Sequence, residues 1–184
     1  LVLNRDYTVS YKNNINVGTA SATITGIGNY SGSVTKDFTI TAATFTGVTV
    51  TLSDSSFTYD GSEKTPGVTV KAGSKKLTLN KDYTLAYTGN TNAGTATVTI
   101  TGKGSYSGTV SKSFTIKPAE LSKAAVSLSS SSFTFDGTEK TPSVTVTLNK
   151  KQLTEGSDYT VSYSNNTNVG TASATITGIG NYSG

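Results

Sequence analysis

The sequence predicts an all-β protein built from tandem, small antiparallel β-sandwiches, and three observations carry that prediction. The first is a repeat: Asp6-Tyr7-Thr8 returns as Asp82-Tyr83-Thr84 and as Asp158-Tyr159-Thr160, a constant offset of 76 residues. The same offset relates FTYDGSEKTP at Phe57–Pro66 to FTFDGTEKTP at Phe133–Pro142, and Phe38-Thr39-Ile40 to Phe114-Thr115-Ile116. The stretch VGTASATITGIGNYSG even recurs letter for letter, at Val17–Gly32 and Val169–Gly184. A fixed period without insertions marks an array, and this period is too long for a solenoid rung. The second observation is apolar alternation with period two, and the third is turn chemistry between the alternating runs.

Taken in order through one period, Val48, Val50 and Leu52 alternate with Thr49 and Thr51, which gives a strand with one apolar face. Asp60-Gly61 then marks a turn, and Val68 and Val70 around Thr69 open the next strand. Gly73-Ser74 is a second turn, after which Tyr83, Leu85 and Tyr87 share one parity. The Gly89-Asn90-Thr91-Asn92 stretch separates that strand from Ala96, Val98 and Ile100, which alternate with threonines. Gly102-Lys103-Gly104 precedes the closing strand, Val110–Ile116. About seven short strands at such spacing argue for an antiparallel sandwich, and no segment has a 3.6-residue period. Ala22 and Ala174 become Val98 at inward parity while the flanking outward threonines stay, so core volume drifts and the face is kept.

This phase sets the expected organisation. Residues 1–42 are the back part of one copy, 43–117 a complete copy, and 118–184 a copy lacking its last strand. Copies one and three resemble each other more than either resembles the middle one. A sandwich missing a strand leaves unpaired backbone groups at an edge. Two expectations follow: the sequence is a fragment of a longer array, or the Ser33–Thr41 segment of one molecule completes the last copy of another by strand exchange.

Composition limits the chemistry. With neither His nor Cys in the sequence, the Ser-His-Asp and Cys-His arrangements and all histidine or thiolate metal sites are excluded, and compartment cannot be read from cysteine. The net charge of +4 comes from scattered lysines and one arginine, a weak case for nucleic acid. No 18-residue apolar run and no signal-type leader occurs, so no membrane insertion is expected of this segment. Catalysis would fall to carboxylates, and the candidate pair is Asp60 with Glu63, repeated as Asp136 with Glu139. Asp-Gly is first a turn former, Glu63-Lys64 reads as a solvated charge pair, and each loop has too few carboxylates for calcium. Gly26–Gly32 misses the G-x-G-x-x-G spacing, because Ser31 stands where the last glycine belongs. No catalytic, cofactor-binding or metal site is expected.

Two sets of residues have binding or covalent readings. Tyr30, Tyr106 and Tyr182 recur just before the closing strand: each is a corner tyrosine bonding its hydroxyl to backbone, or an exposed aromatic platform for sugar stacking. Lys36 and Lys112 sit at inward parity on the closing strand. Each is a bulged or rim lysine with a buried stem, or one end of an isopeptide bond to an Asn or Asp. Thr-x-Thr runs invite an ice-binding reading, which separate twisted sheets do not favour. Asn29, Asn165 and Asn181 head glycosylation sequons.

FTYDGSEKTPGVTV, LNKDYTLAYTGNTNAGTATVTITGKGSYSGTV and SKSFTI, in that order, resemble the YDG/MBG-type bacterial immunoglobulin-like repeats of large Gram-positive surface proteins, over the whole chain. The signature Tyr59-Asp60-Gly61 becomes Phe135-Asp136-Gly137 in the next copy. The resemblance implies secretion, attachment at the cell surface or wall, and a non-enzymatic role as a stalk holding other domains away from the cell. The alternative function is an adhesin or carbohydrate-binding module with a glycan or host surface protein as partner. Otherwise the expected partners are neighbouring repeats of the same chain.

Overall fold

Alternating valine and threonine leave one face of each segment apolar and the other hydroxylated, a pattern that fits a pleated, half-buried surface. The computed structural model describes all residues, Leu1–Gly184, and is nearly all β, with no α-helix and a single 3-10 turn at Leu121–Lys123. The strands begin with β1 (Tyr7–Lys12), β2 (Gly18–Gly26) and β3 (Ser33–Ile40). Next come β4 (Ala43–Thr44), β5 (Val48–Leu52), β6 (Ser56–Thr58), β7 (Val68–Ala72), β8 (Lys75–Lys76), β9 (Tyr83–Thr88), β10 (Gly94–Gly102), β11 (Tyr106–Ser107) and β12 (Thr109–Lys117). The last are β13 (Ala119–Glu120), β14 (Ala125–Leu128), β15 (Val144–Leu148), β16 (Lys151–Gln152), β17 (Tyr159–Ser164), β18 (Ser173–Gly178) and β19 (Tyr182–Ser183).

The chain forms two compact units, and β9, β10 and β12 contribute residues to both. The first comprises Leu1–Ser53, Val68–Ala86 and Val98–Lys112. Within it β1, β2 and β3 make an antiparallel sheet in which Tyr11 faces Ala22 and Ala22 faces Lys36. β5, β7 and β8 make a second antiparallel sheet, with Val50 opposite Val70. Its buried side chains include Val70, Leu77, Tyr83, Val98 and Ile100.

The second unit comprises Asp54–Gly67, Tyr87–Thr97 and Ser113–Gly184. It holds the sheet β14-β15-β16, the β17-β18 pair, and a core of Val144, Val146, Leu148, Leu153, Tyr159 and Tyr182. Here β6 runs parallel to β12, with Phe57 in register with Ile116, in the four-stranded order β6-β12-β10-β9. The expectation of purely antiparallel pairing is corrected on this point: β4-β11, β6-β12 and β13-β19 are all parallel. In each pair dozens of residues separate the partners, so the chain has ample length to return in the same direction.

Short-range polar bonds fix where strands start. In each Asp-Tyr-Thr motif the carboxylate accepts from a backbone N–H four residues back: Val2 to Asp6 at 2.7 Å, Thr78 to Asp82 at 2.8 Å, Thr154 to Asp158 at 3.0 Å. The aspartate thereby closes the turn and aims the following tyrosine into its strand. The glycine ending β2, β10 and β18 is needed for closeness of backbone. A Cβ on Gly26, Gly102 or Gly178 would lie 2.9, 2.8 or 2.7 Å from the backbone nitrogen of Ser31, Ser107 or Ser183.

Gly102→Ala therefore forces the Tyr106–Ser107 backbone aside and is expected to cost about 1–3 kcal/mol, the usual range for overpacking. Gly73→Ala meets no atom within 4 Å but must hold a left-handed backbone, so it loses less, about 1 kcal/mol. Urea midpoints of the two variants check the order.

Candidate functional site

The three recurring tyrosines occupy three different environments. Tyr30 is 48 % exposed, Tyr106 is half-buried and Tyr182 is only 5 % exposed. Tyr106 packs tilted against Phe45 at 6.0 Å between ring centroids, and Lys75 Nζ donates to its hydroxyl at 3.2 Å and lies 5.5 Å from the ring centroid. Tyr182 stands edge-on to Tyr59 at 5.5 Å and accepts from Lys151 Nζ at 3.1 Å. The hydroxyl thus takes a lysine rather than the backbone bond of a corner tyrosine. The hydrogen bond to the tyrosine hydroxyl raises the pKa of Lys75 and of Lys151. Backbone bonds are made instead by other tyrosines. Tyr83 donates to the Val68 carbonyl at 3.4 Å and Tyr159 to that of Val144 at 3.1 Å, and burial pushes both phenols up. Tyr87 likewise donates to Pro66 O at 2.6 Å, and Tyr163 to Pro142 O.

Around Tyr182, inside the second unit, residues from two of the 76-residue sequence repeats meet. The Asn181 side chain accepts from Ala93 N–H at 2.8 Å and donates from Nδ2 to Asn92 Oδ1 at 3.2 Å. Tyr59, from the Tyr-Asp-Gly motif, covers the core cluster that contains Tyr182. Between these contacts the chain passes from Lys117, whose carbonyl accepts from Tyr59 N–H at 2.8 Å, to Ala119, whose N–H donates to Asn181 O at 2.9 Å. One backbone link is therefore flanked by an aromatic contact on one side and an amide on the other. A carboxamide bonded at both ends resists rotation, and the edge-on contact of the buried Tyr182 with the half-buried Tyr59 adds apolar area.

The Asp-Gly turns are self-contained clamps. Asp60 Oδ1 accepts from Ser62 N–H at 2.8 Å, Ser62 hydroxyl at 2.5 Å and Lys64 Nζ at 2.5 Å. Asp136 repeats this with Thr138 and Lys140. Lys64 thus pairs with Asp60 and not with Glu63, and Glu63 and Glu139 are exposed. An amide locks each turn to a neighbouring loop, Asn90 Nδ2 donating to Lys64 O and Asn166 Nδ2 to Lys140 O, both at 3.1 Å. Nowhere do three carboxylates meet as a potential metal-binding group.

Lys36 and Lys112 are both exposed, and the cross-strand partner of Lys36 is Ala22 rather than a carboxamide. Asn29 and Asn165 are exposed, whereas the Asn181 amide is engaged with Ala93 and Asn92. Gly26–Gly32 forms a turn after β2, with Gly26 N–H donating to Gly32 O at 3.0 Å. No helix of the chain is long and apolar enough to cross a membrane. The Asn181 clamp, the Lys75 and Lys151 contacts and the Asn90 and Asn166 locks were not singled out by the sequence reading. Their signal was available in part, since Lys75 and Lys151, and Asn90 and Asn166, recur at the repeat offset.

No family model matches the chain, no curated protein is similar to it, and no solved structure matches it.

The turn clamps give a pH dependence. The lysine hydrogen bond, reinforced by the Ser62 or Thr138 donors, holds Asp60 and Asp136 well below the usual carboxylate range. A carboxyl whose pKa falls on folding stabilises the fold fully above its unfolded value, about 3.9, and that gain is lost as pH drops toward the lowered folded value. Both aspartate side chains are 57 % exposed, so solvent screening keeps the effect small. Urea midpoints of the chain are expected to fall on going from neutral pH to about pH 3, and an Asp60→Asn, Asp136→Asn variant is expected to show a shallower fall.

Proposed function

We propose that this chain is a stretch of structural spacer, a non-enzymatic stalk of tandem immunoglobulin-like β-sandwich repeats of the YDG/MBG type that carries other domains away from a bacterial surface. The observation that supports this reading best is the joint. Asn181, bonded to Ala93 and Asn92, and Tyr182, edge-on to Tyr59, belong to one copy and meet the end of the copy before it. A spacer needs successive units that keep their mutual direction, and this contact supplies that restraint at a link of a few residues. The longest strands have 9 residues, and at about 3.3 Å each they let every repeat add on the order of 30 Å to a rod. The hydroxyl-rich, weakly charged strand faces suit a surface that faces water without collecting partners.

The restraint can be tested where the sequence varies. The position of Asn181 is held by Ser105 in the preceding copy, so Asn181→Ser puts a natural residue of the repeat into the joint. The variant is expected to keep its strand content while small-angle scattering and inter-repeat energy transfer show a broader spread of end-to-end distance. An unchanged distance distribution would count against a joint that sets direction. Saturable binding of polysaccharide, mucin or matrix protein, lost in Tyr106→Ala with the fold intact, would replace the spacer with an adhesin.

A further inference from the structure

One patch of the first unit concentrates five lysines, all exposed. Lys71, Lys75 and Lys76 stand on the hairpin of β7 and β8, Lys81 on the turn before β9, and Lys103 on the loop after β10. Short contacts bring these segments together. Lys103 N–H donates to Asp82 O at 2.9 Å, Tyr106 N–H to Lys103 O at 3.2 Å, and Lys75 Nζ to the Tyr106 hydroxyl at 3.2 Å. A Cβ on Gly104 would lie 3.3 Å from Lys81 O. The only carboxylate on the segments Val68–Asp82 and Thr101–Ser107 is that of Asp82, which is buried and accepts from Thr78 N–H. None of the five lysines forms an ion pair.

The repeat shows that most of this charge is not required for folding. At the repeat offset Lys71, Lys76, Lys81 and Lys103 become Thr147, Gln152, Ser157 and Ile179, and the same hairpin forms there as β15 and β16. Only Lys75 is kept, as Lys151, and both hold a tyrosine hydroxyl. Lys71 also faces Lys76 directly across the hairpin, where the next copy pairs Thr147 with Gln152. Like charges so placed cost stability. Solubility is served by charges spread apart, whereas these are gathered with no counter-ion of their own. We infer that the patch is a docking surface for a linear acidic polysaccharide, its uronate carboxylates meeting the lysine ammonium groups in succession. Exposed hydroxyls of Ser74, Thr78 and Ser105 on the same segments suit the sugar hydroxyls. A nucleic acid fits less well, because Tyr106 is half-buried against Phe45 and leaves no free ring for bases to stack on. For a lipid surface, Leu79 is the one large apolar side chain exposed on these segments, too little to enter a bilayer. The inference does not rest on the spacer reading.

The full chain is titrated with polygalacturonate at low ionic strength, with neutral dextran, single-stranded DNA and anionic phospholipid vesicles as the other probes. Saturable binding of polygalacturonate is expected, weakening as salt is added, with none to dextran. Two charge reversals test the place: Lys71→Glu with Lys76→Glu, and Lys81→Glu with Lys103→Glu. Each pair is expected to weaken polygalacturonate binding about tenfold or more, while Lys36→Glu with Lys112→Glu, the same change in net charge elsewhere, is expected to weaken it much less. Lys75 and Tyr106 are untouched in all three, and circular dichroism checks that each variant keeps its strands. No binding of polygalacturonate by the unmutated chain overturns the inference. Equal weakening in all three variants overturns it by reducing the effect to net charge. DNA or vesicles bound more tightly than polygalacturonate at equal ionic strength overturn it by giving the patch a different partner.

Discussion

Insertion of a closing strand between two others is the constraint on which the order of this molecule depends. Where Thr109–Lys117 is present, Phe57 is half-covered, Phe114 is buried, and β10 is ordered as a strand from Gly94 onward. Where no such strand lies, the same sequence pattern gives a shorter β18 and an exposed Phe133. The threonine-rich alternation favours extended backbone in both places, yet a strand needs a partner to satisfy its N–H and C=O groups. Local propensity proposes the strand and the neighbouring ladder fixes its length.

The apolar material available to these sheets is modest, and polar side chains do much of the positioning. Hydroxyls of Tyr83, Tyr87, Tyr159 and Tyr163 reach backbone carbonyls 15 or 21 residues away. Asn90 and Asn166 tie each Asp-Gly turn to a distant loop. Every one of these groups is long enough to cross from one element to another, and no buried side-chain nitrogen or oxygen is left without a partner. A repeat with no disulfide can afford a thin core because its loops are fastened at these points.

Much of the strand pattern was legible because period-two alternation is a local property, as at Val48–Leu52, Tyr83–Thr88 and Gly94–Gly102, where the observed strands coincide with the alternating runs. The Asp-Gly turns were legible for the same reason. What escaped was non-local. Nothing near Lys64 in sequence distinguishes Glu63 from Asp60 as its partner; the turn backbone does, by folding position 60 back over position 64. Parity placed Lys36 and Lys112 inward, but alternation cannot say where the covering layer stops, and both stand outside it. Likewise Tyr30, Tyr106 and Tyr182 share one local sequence context and differ in what packs on them: nothing that buries Tyr30, Phe45 on Tyr106, Tyr59 on Tyr182.

That last difference bears on how a repeat can vary without losing its fold. The tyrosine is kept in all three copies, while the residue before it is Asn29, Ser105 and Asn181. Inside a copy this position needs only its backbone carbonyl, which accepts from Ala43 N–H at Ser105 and from Ala119 N–H at Asn181, at 2.9 Å in both. Either side chain therefore serves the fold. The Asn181 amide meets Ala93 N–H with its oxygen and Asn92 with its nitrogen, two separate atoms on a longer side chain than the single hydroxyl of serine. The position therefore has two roles, a carbonyl that fixes the chain path in both places and a side chain that at Asn181 alone reaches Asn92 and Ala93, and the sequence can change the second without touching the first.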